Sequence, residues 1–402
     1  MKKTLLIILS ALLLMMSLVA CGNTTDDPST DNNKETDKAP AASGKFEPEI
    51  ISKDKIDPRQ KVVDSMIEMS EVEWIPMQDL DFSTVLDTLY YKSGVKYTGM
   101  IYVTGARENH VDAEGFKPYL NEKGEYTGPT TPTTAIGNHC SSSIRISYNT
   151  FSNKATFSTT VQMMPGVDGG MEALGNYVYS ASDKTTEMIF ANNRGDTQLF
   201  AEGYALLQKG DAILFCDGKT GHTRIVIENT VAKDSAGKID LKNSYVITIE
   251  QTSSFDTERR DVNTTWFVNH KYTYADLIGT KYIPLTFKGF KDFDGVTEDN
   301  TFSVKSVNNK TNLTSGKLKG IVTSSYLEID SVLCEVLDSE GKVVVSQKLD
   351  NINNAEKTKF QFKNAEADEG FTKLKAGDYV YQITANTAFG SAKVHQKNIT
   401  IE

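Results

Sequence analysis

Gly137-Asn138-His139-Cys140-Ser141-Ser142-Ser143-Ile144 is the stretch on which the reading of this chain turns. A loop rich in proline and threonine, Gly128-Pro129-Thr130-Thr131-Pro132-Thr133-Thr134, ends shortly before it, and an amphipathic run (Ile144, Ile146, Tyr148, Phe151) begins at its end. That pattern places Cys140 at the start of a helix, where free backbone N–H groups and the positive end of the helix dipole stabilise a thiolate. Cys140 is therefore the candidate nucleophile. A lone cysteine more often packs as a small inert hydrophobe, but a partner lies further along the chain. Gly210-Asp211-Ala212-Ile213-Leu214-Phe215 reads as a glycine-led strand, and Gly221-His222-Thr223-Arg224-Ile225-Val226-Ile227 puts a histidine at the mouth of a second strand. A cysteine and a histidine on separate elements make the minimal pair of nucleophile and base.

A third group is needed to hold the imidazole in one tautomer, and it belongs on a neighbouring strand. The run Tyr245-Val246-Ile247-Thr248-Ile249-Glu250-Gln251 is apolar until it ends in two polar residues. Cysteine at a helix start, "GD" with an apolar strand, "GH" with an apolar strand, then a polar strand end: this order resembles the NlpC-type cysteine peptidases. The resemblance spans roughly residues 58 to 290 and departs from the family at one point, His139-Cys140-Ser141-Ser142 standing where Asp-Cys-Ser-Gly is usual. It implies an α+β, papain-like fold and cleavage of amide bonds in peptidoglycan stem or cross-bridge peptides. It also implies Glu250 as the orienting residue, with Gln251, on the other strand face, as the alternative. Gly94 to Tyr102 would line the site, with Tyr102, ahead of Tyr97, as the hydroxyl that helps hold the oxyanion.

The chain opens Met1-Lys2-Lys3 and continues with an apolar run from Leu5 to Met16, ending in Leu18-Val19-Ala20-Cys21-Gly22. The run is too short to span a membrane and reads as a secretory signal over residues 1–20. The small residue before Cys21 resembles a lipobox, which implies cleavage there and a diacylglycerol on the Cys21 sulfur. The mature protein is then exported and tethered to the outer face of the membrane. Residues 21–57, mostly Thr, Asp, Asn, Ser, Lys and Pro, read as a flexible tether.

With Cys21 and Cys140 assigned, Cys216 and Cys334 remain of the 4 cysteines, too few for a disulfide framework. Cys216 lies inside an apolar strand and is the weaker candidate nucleophile. The net charge of -10 and the lack of a basic stripe exclude nucleic acid as a partner. The 5 histidines lack ligand spacing, so no metal or other cofactor is expected. His110 reads as a solvated loop residue, and His139 as a poor base for its own neighbour Cys140.

Val62, Val63, Met66 and Met69 recur at helical spacing and predict a helix from Pro58 to Glu73 that opens the catalytic domain, residues 58–292. A polar, acidic stretch from Asp292 to Asn300 marks a boundary. Beyond it, residues 296–402 hold seven short strand-like runs, a hairpin at Asp338-Ser339-Glu340-Gly341, and Leu374-Lys375-Ala376-Gly377-Asp378-Tyr379-Val380-Tyr381, which looks like a tyrosine corner. These features resemble an immunoglobulin-like sandwich without its disulfide. The rival reading of the whole chain is a non-enzymatic surface-binding protein with a degenerate papain-like domain.

Overall fold

The computed structural model describes residues 46–308, 313–351 and 357–402. The leader (1–20), the lipidation candidate Cys21 and the tether as far as residue 45 lie outside the described residues.

Helix α1 (Pro58–Glu71) starts as its sequence dictates: the Asp57 side chain accepts from Gln60 N at 2.9 Å, and Pro58 takes the first position, where no N–H is needed. It buries Val62, Val63, Met66 and Met69. The helix stops at Glu71, short of the expected Glu73, because Glu73–Pro76 is already extended and pairs with Tyr97–Thr98 and Glu125–Tyr126. Helix α2 (Cys140–Asn149) packs on α1.

Both helices lie on a six-stranded antiparallel sheet. Its strands are β1 (Met171–Ala173), β2 (Ala212–Cys216), β3 (Gly221–Thr230), β4 (Tyr245–Gln251), β5 (Trp266–Thr273) and β6 (Ile283–Phe287), in the order β5-β4-β3-β2-β6-β1. Strand β2 is buried at almost every position, which is why it reads as a continuous apolar run. Strand β1 falls in a stretch that reads as irregular, since three residues are too few to show alternation. Helix α2 is fixed to the sheet by Tyr148, whose ring stacks on Phe287 at 4.3 Å and whose hydroxyl donates to Gly210 O at 3.0 Å.

The backbone just ahead of α2 is clamped as well. Asn138 N donates to Ile101 O and Val103 N to Asn138 O, both at 2.9 Å. A Cβ on Gly137 would lie 2.2 Å from Ile101 O, so only glycine permits this approach.

The C-terminal part is a β-sandwich. Strands β7 (Phe302–Lys305), β8 (Lys317–Ser324) and β11 (Lys359–Glu366) form one sheet, and β9 (Ser331–Leu337), β10 (Val343–Asp350), β12 (Gly377–Thr387) and β13 (Gly390–Ile401) form the other, ordered β10-β9-β12-β13. Their inner faces share one core that includes Val322, Phe360, Val332, Ile383 and Val394. The Tyr379 hydroxyl donates to Lys375 O at 3.1 Å, and Cys334 is a buried free thiol.

Residues 46–57, which composition assigns to the tether, are built into this half. Ile51 is buried in the sandwich core and exchanges two backbone hydrogen bonds with Asn300, of 3.0 and 2.9 Å. One isoleucine with paired backbone on both sides is enough to anchor a polar segment. Phe293 and Phe389 pack against both cores, and the described residues form one compact unit.

Candidate active site

Cys140 is the first residue of α2, and the residue before it is the helix cap. His139 is extended (φ -122°, ψ 177°); its Nδ1 accepts from Ser142 N at 3.3 Å, while its own N–H donates to Ser142 Oγ at 2.8 Å. A capping box normally built from an oxygen side chain is thus built from an imidazole. The Cys140 sulfur is nearly enclosed, with Sγ 3.9 Å from Gly221 O, the carbonyl preceding His222.

Strand β3 delivers His222 to the sulfur, and strand β4 delivers Glu250 to His222. His222 Nε2 is hydrogen-bonded to Glu250 Oε2, which leaves Nδ1 as the nitrogen for Cys140. Two further donors fix the carboxylate: Arg224 Nε reaches Oε2 at 2.8 Å, and the Tyr272 hydroxyl reaches Oε1 at 2.7 Å. The Arg224 guanidinium in turn lies over the rings of Tyr272 and Tyr282, at 4.0 and 4.3 Å from their centroids. Glu250 is only 1% exposed, and every one of these contacts compensates its buried charge.

The electrostatics follow from that packing. Burial by itself would raise the Cys140 thiol, but hydrogen bonds to His139 and His222 and the His222 charge outweigh it and bring the thiol down to about 6. Burial would lower His222, yet the Glu250 charge and the bonds to Cys140 and Glu250 lift it to about 9. Burial would raise Glu250, and His222, Arg224 and Tyr272 together hold it down to about 2. Between about pH 6 and about pH 9 the resting site is therefore a thiolate beside an imidazolium, backed by a carboxylate.

Tyr102 forms a bridge with Asn138, and its hydroxyl lies against Cys140. Burial and the neighbouring thiolate push that hydroxyl well above its ordinary value, so it stays a neutral donor. With the free N–H of Cys140 at the helix start, it gives two donors for charge developing on a carbonyl oxygen. Tyr97 is not part of the site: its hydroxyl accepts from Lys92 N at 2.7 Å, and its ring stacks on Trp74. Gln251 is not brought to His222 either; it donates to Met100 O at 2.8 Å on the opposite strand face. Cys216 is buried, its thiol raised by that burial, with Sγ 3.8 Å from Lys184 O.

Three participants escape the sequence reading. Arg224 stands two positions after His222 on one strand, so it shares a face with the base, and period-two alternation could have found it. Tyr272 and Tyr282 depend on strand register and carry no such signal. His110, expected in solvent, is packed edge-on against the His139 ring with centroids 4.6 Å apart. A cavity of about 820 Å³, lined by Phe215, Arg224, Tyr272, Lys281 and Tyr282, opens beside Phe215, which pairs with His222 across β2 and β3. Among the described residues, no group of three or more His, Cys, Asp and Glu is arranged to hold a metal ion.

No protein-family model matches the chain, and no curated protein matches it. Among solved structures, CopC from Methylosinus trichosporium OB3b is 15% identical over 25% of this chain and 94% of its own, with a TM-score of 0.17. A DUF3823 family protein from Bacteroides ovatus is 12% identical over 48% of this chain and 89% of its own, with a TM-score of 0.20. Likenesses this slight carry no argument for fold or function, so the functional reading rests on the site itself.

Proposed function

We propose that this chain is a cysteine hydrolase of amide bonds, with a papain-like catalytic domain of the NlpC type over residues 58–292 and an immunoglobulin-like sandwich over residues 296–402. The observation that carries this reading is the meeting of Cys140, His222 and Glu250 from one helix and two strands, with the thiol down to about 6 and the imidazole up to about 9. The order β10-β9-β12-β13 and the Tyr379 to Lys375 bond support the immunoglobulin-like assignment. The substrate class is a peptidoglycan stem or cross-bridge peptide, and the protein works from the outer face of the membrane, held by lipid on Cys21.

In this mechanism the proton transfer from Cys140 to His222 is already complete at rest. The thiolate attacks the amide carbon, and the carbonyl oxygen takes the negative charge against Tyr102 Oη and the Cys140 N–H. His222 Nδ1 then protonates the leaving nitrogen, the C–N bond breaks, and an acyl-enzyme remains. Neutral His222 next takes a proton from water as the hydroxide attacks the thioester; collapse expels the thiolate and restores the ion pair. Glu250 keeps the imidazole oriented throughout and offsets its charge.

The test has two parts. Iodoacetamide labelling of Cys140 should rise through a midpoint near about 6, and His222→Ala should move that midpoint toward an ordinary thiol. Purified muropeptides should be cleaved by the intact protein and left whole by Cys140→Ala, read by mass spectrometry. A free-thiol labelling profile together with uncut muropeptides would overturn the hydrolase and favour the non-enzymatic surface-binding reading.

A further inference from the structure

Around His139, the residue that precedes Cys140, basic side chains gather. Arg145, on α2, is only 6% exposed, and its Nε has no hydrogen-bond partner among the described residues. One of its terminal nitrogens lies 3.5 Å from His110 Nδ1, and the His110 ring meets the His139 ring edge-on at 4.6 Å. His139 directly precedes Cys140 and bears on its thiol, so the row runs from the guanidinium to Cys140. Burial, with the like charge of nearby Arg107 beside it, brings Arg145 down to about 10. Arg107 is exposed, and one of its nitrogens reaches only Thr156 O, at 3.4 Å.

A buried cation is normally paired, and a buried guanidinium normally uses its donors. Here a planar fork of donors, suited to a carboxylate, stands beside two imidazoles and a second guanidinium in a chain whose net charge is -10. Among the described residues none supplies that partner. Arg145 lies five residues beyond Cys140, about 7.5 Å along the helix axis, and an extended peptide advances about 3.3 Å per residue. We infer that the corner formed by His110, His139, Arg145 and Arg107 is a carboxylate-recognition subsite, and that the preferred substrate is a peptide with a carboxylate two to three residues from the amide that is cut. This rests on the hydrolase reading for the word substrate, but the site can be tested without turnover.

The test is protection of Cys140 from iodoacetamide in the full chain by three probes: acetyl-Ala-Ala-Ala with a free C-terminal carboxylate, its C-terminal amide, and acetyl-Ala-Ala-Glu amide. The free acid should give half-protection at a concentration lower than the amide by about tenfold or more, the size of one charge-assisted pair. That advantage should shrink to roughly threefold or less in Arg107→Gln and in Arg145→Gln. Arg107 is exposed, so its variant decides the matter if Arg145→Gln fails to fold. Protection by the glutamate peptide equal to that of the free acid assigns recognition to any carboxylate, and weaker protection assigns it to the chain terminus. Equal protection by acid and amide, or an advantage that survives Arg107→Gln, overturns the subsite. Should Cys140 label like an ordinary thiol, the hydrolase reading falls, while the ratio of acid to amide still decides this one.

Discussion

Glu250 takes hydrogen bonds from three side chains on two strands, and the division of labour between its oxygens matters. Oε2 serves His222 and Arg224, while Oε1 serves Tyr272, so the carboxylate cannot rotate away from the imidazole without losing a second bond. Glu250→Gln keeps the shape and removes the charge that lifts His222. It should raise the labelling midpoint of Cys140 and lower turnover by roughly one to several orders of magnitude, as for other orienting groups. Arg224→Leu leaves both Glu250 bonds to His222 and Tyr272 intact and should cost less. Gln251→Ala is expected to act differently, by lowering the melting temperature through the lost bond to Met100 O while the labelling profile stays put. Labelling profiles, turnover and melting curves of the three variants check the ranking. A Glu250→Gln protein with the labelling profile of the intact protein would remove Glu250 from the site.

At the scale of elements, the position of Cys140 is set by the backbone that enters α2, not by α2 alone. The clamp between residues 101–103 and Asn138 holds both the Tyr102 hydroxyl and the Cys140 N–H, and Gly137 is what lets the two segments meet. Gly137→Ala should therefore cost on the order of 1–3 kcal/mol by overpacking. It should also slow acylation more than it weakens peptide binding, since it displaces the oxyanion donors. Chemical denaturation and single-turnover kinetics would measure the two effects, and an alanine variant matching the intact protein in both would show that the clamp is slack. The same elements show what a sequence reveals. The start of α2, the "GH" strand and the polar end of β4 were legible because each is written in consecutive residues: a loop before an amphipathic run, or an apolar run that stops. Register is written nowhere in one strand, so the meeting of Tyr272 with Glu250 and of Tyr282 with Arg224 could not be read. The packing of His110 on His139 escaped for a similar reason, because the loop from Thr104 to Ile136 has no periodicity to say which way it folds back.

For the whole molecule, the polar stretch Asp292 to Asn300 reads as a boundary, and aromatic side chains pack across it. Phe293 stacks edge-on between Phe151 of the N-terminal half and Phe389 of the β12–β13 turn, at 5.6 Å from each. On the other side of the boundary, Ile51 fills the sandwich core from ahead of α1, so a fragment beginning at residue 296 would leave its place empty. The protein from residue 46 onward should consequently melt in one calorimetric transition, since loss of either core exposes the shared rings. Phe389→Ala removes one of the two rings that face both cores and should split the transition in two, whereas Val344→Ala, at an exposed strand position, should not. A chain starting at residue 58 should melt at a lower temperature through the loss of Ile51 and its paired backbone. Two well-separated transitions in the unaltered protein would show that the rings touch without coupling, and that the sandwich is held to the N-terminal half by the chain alone.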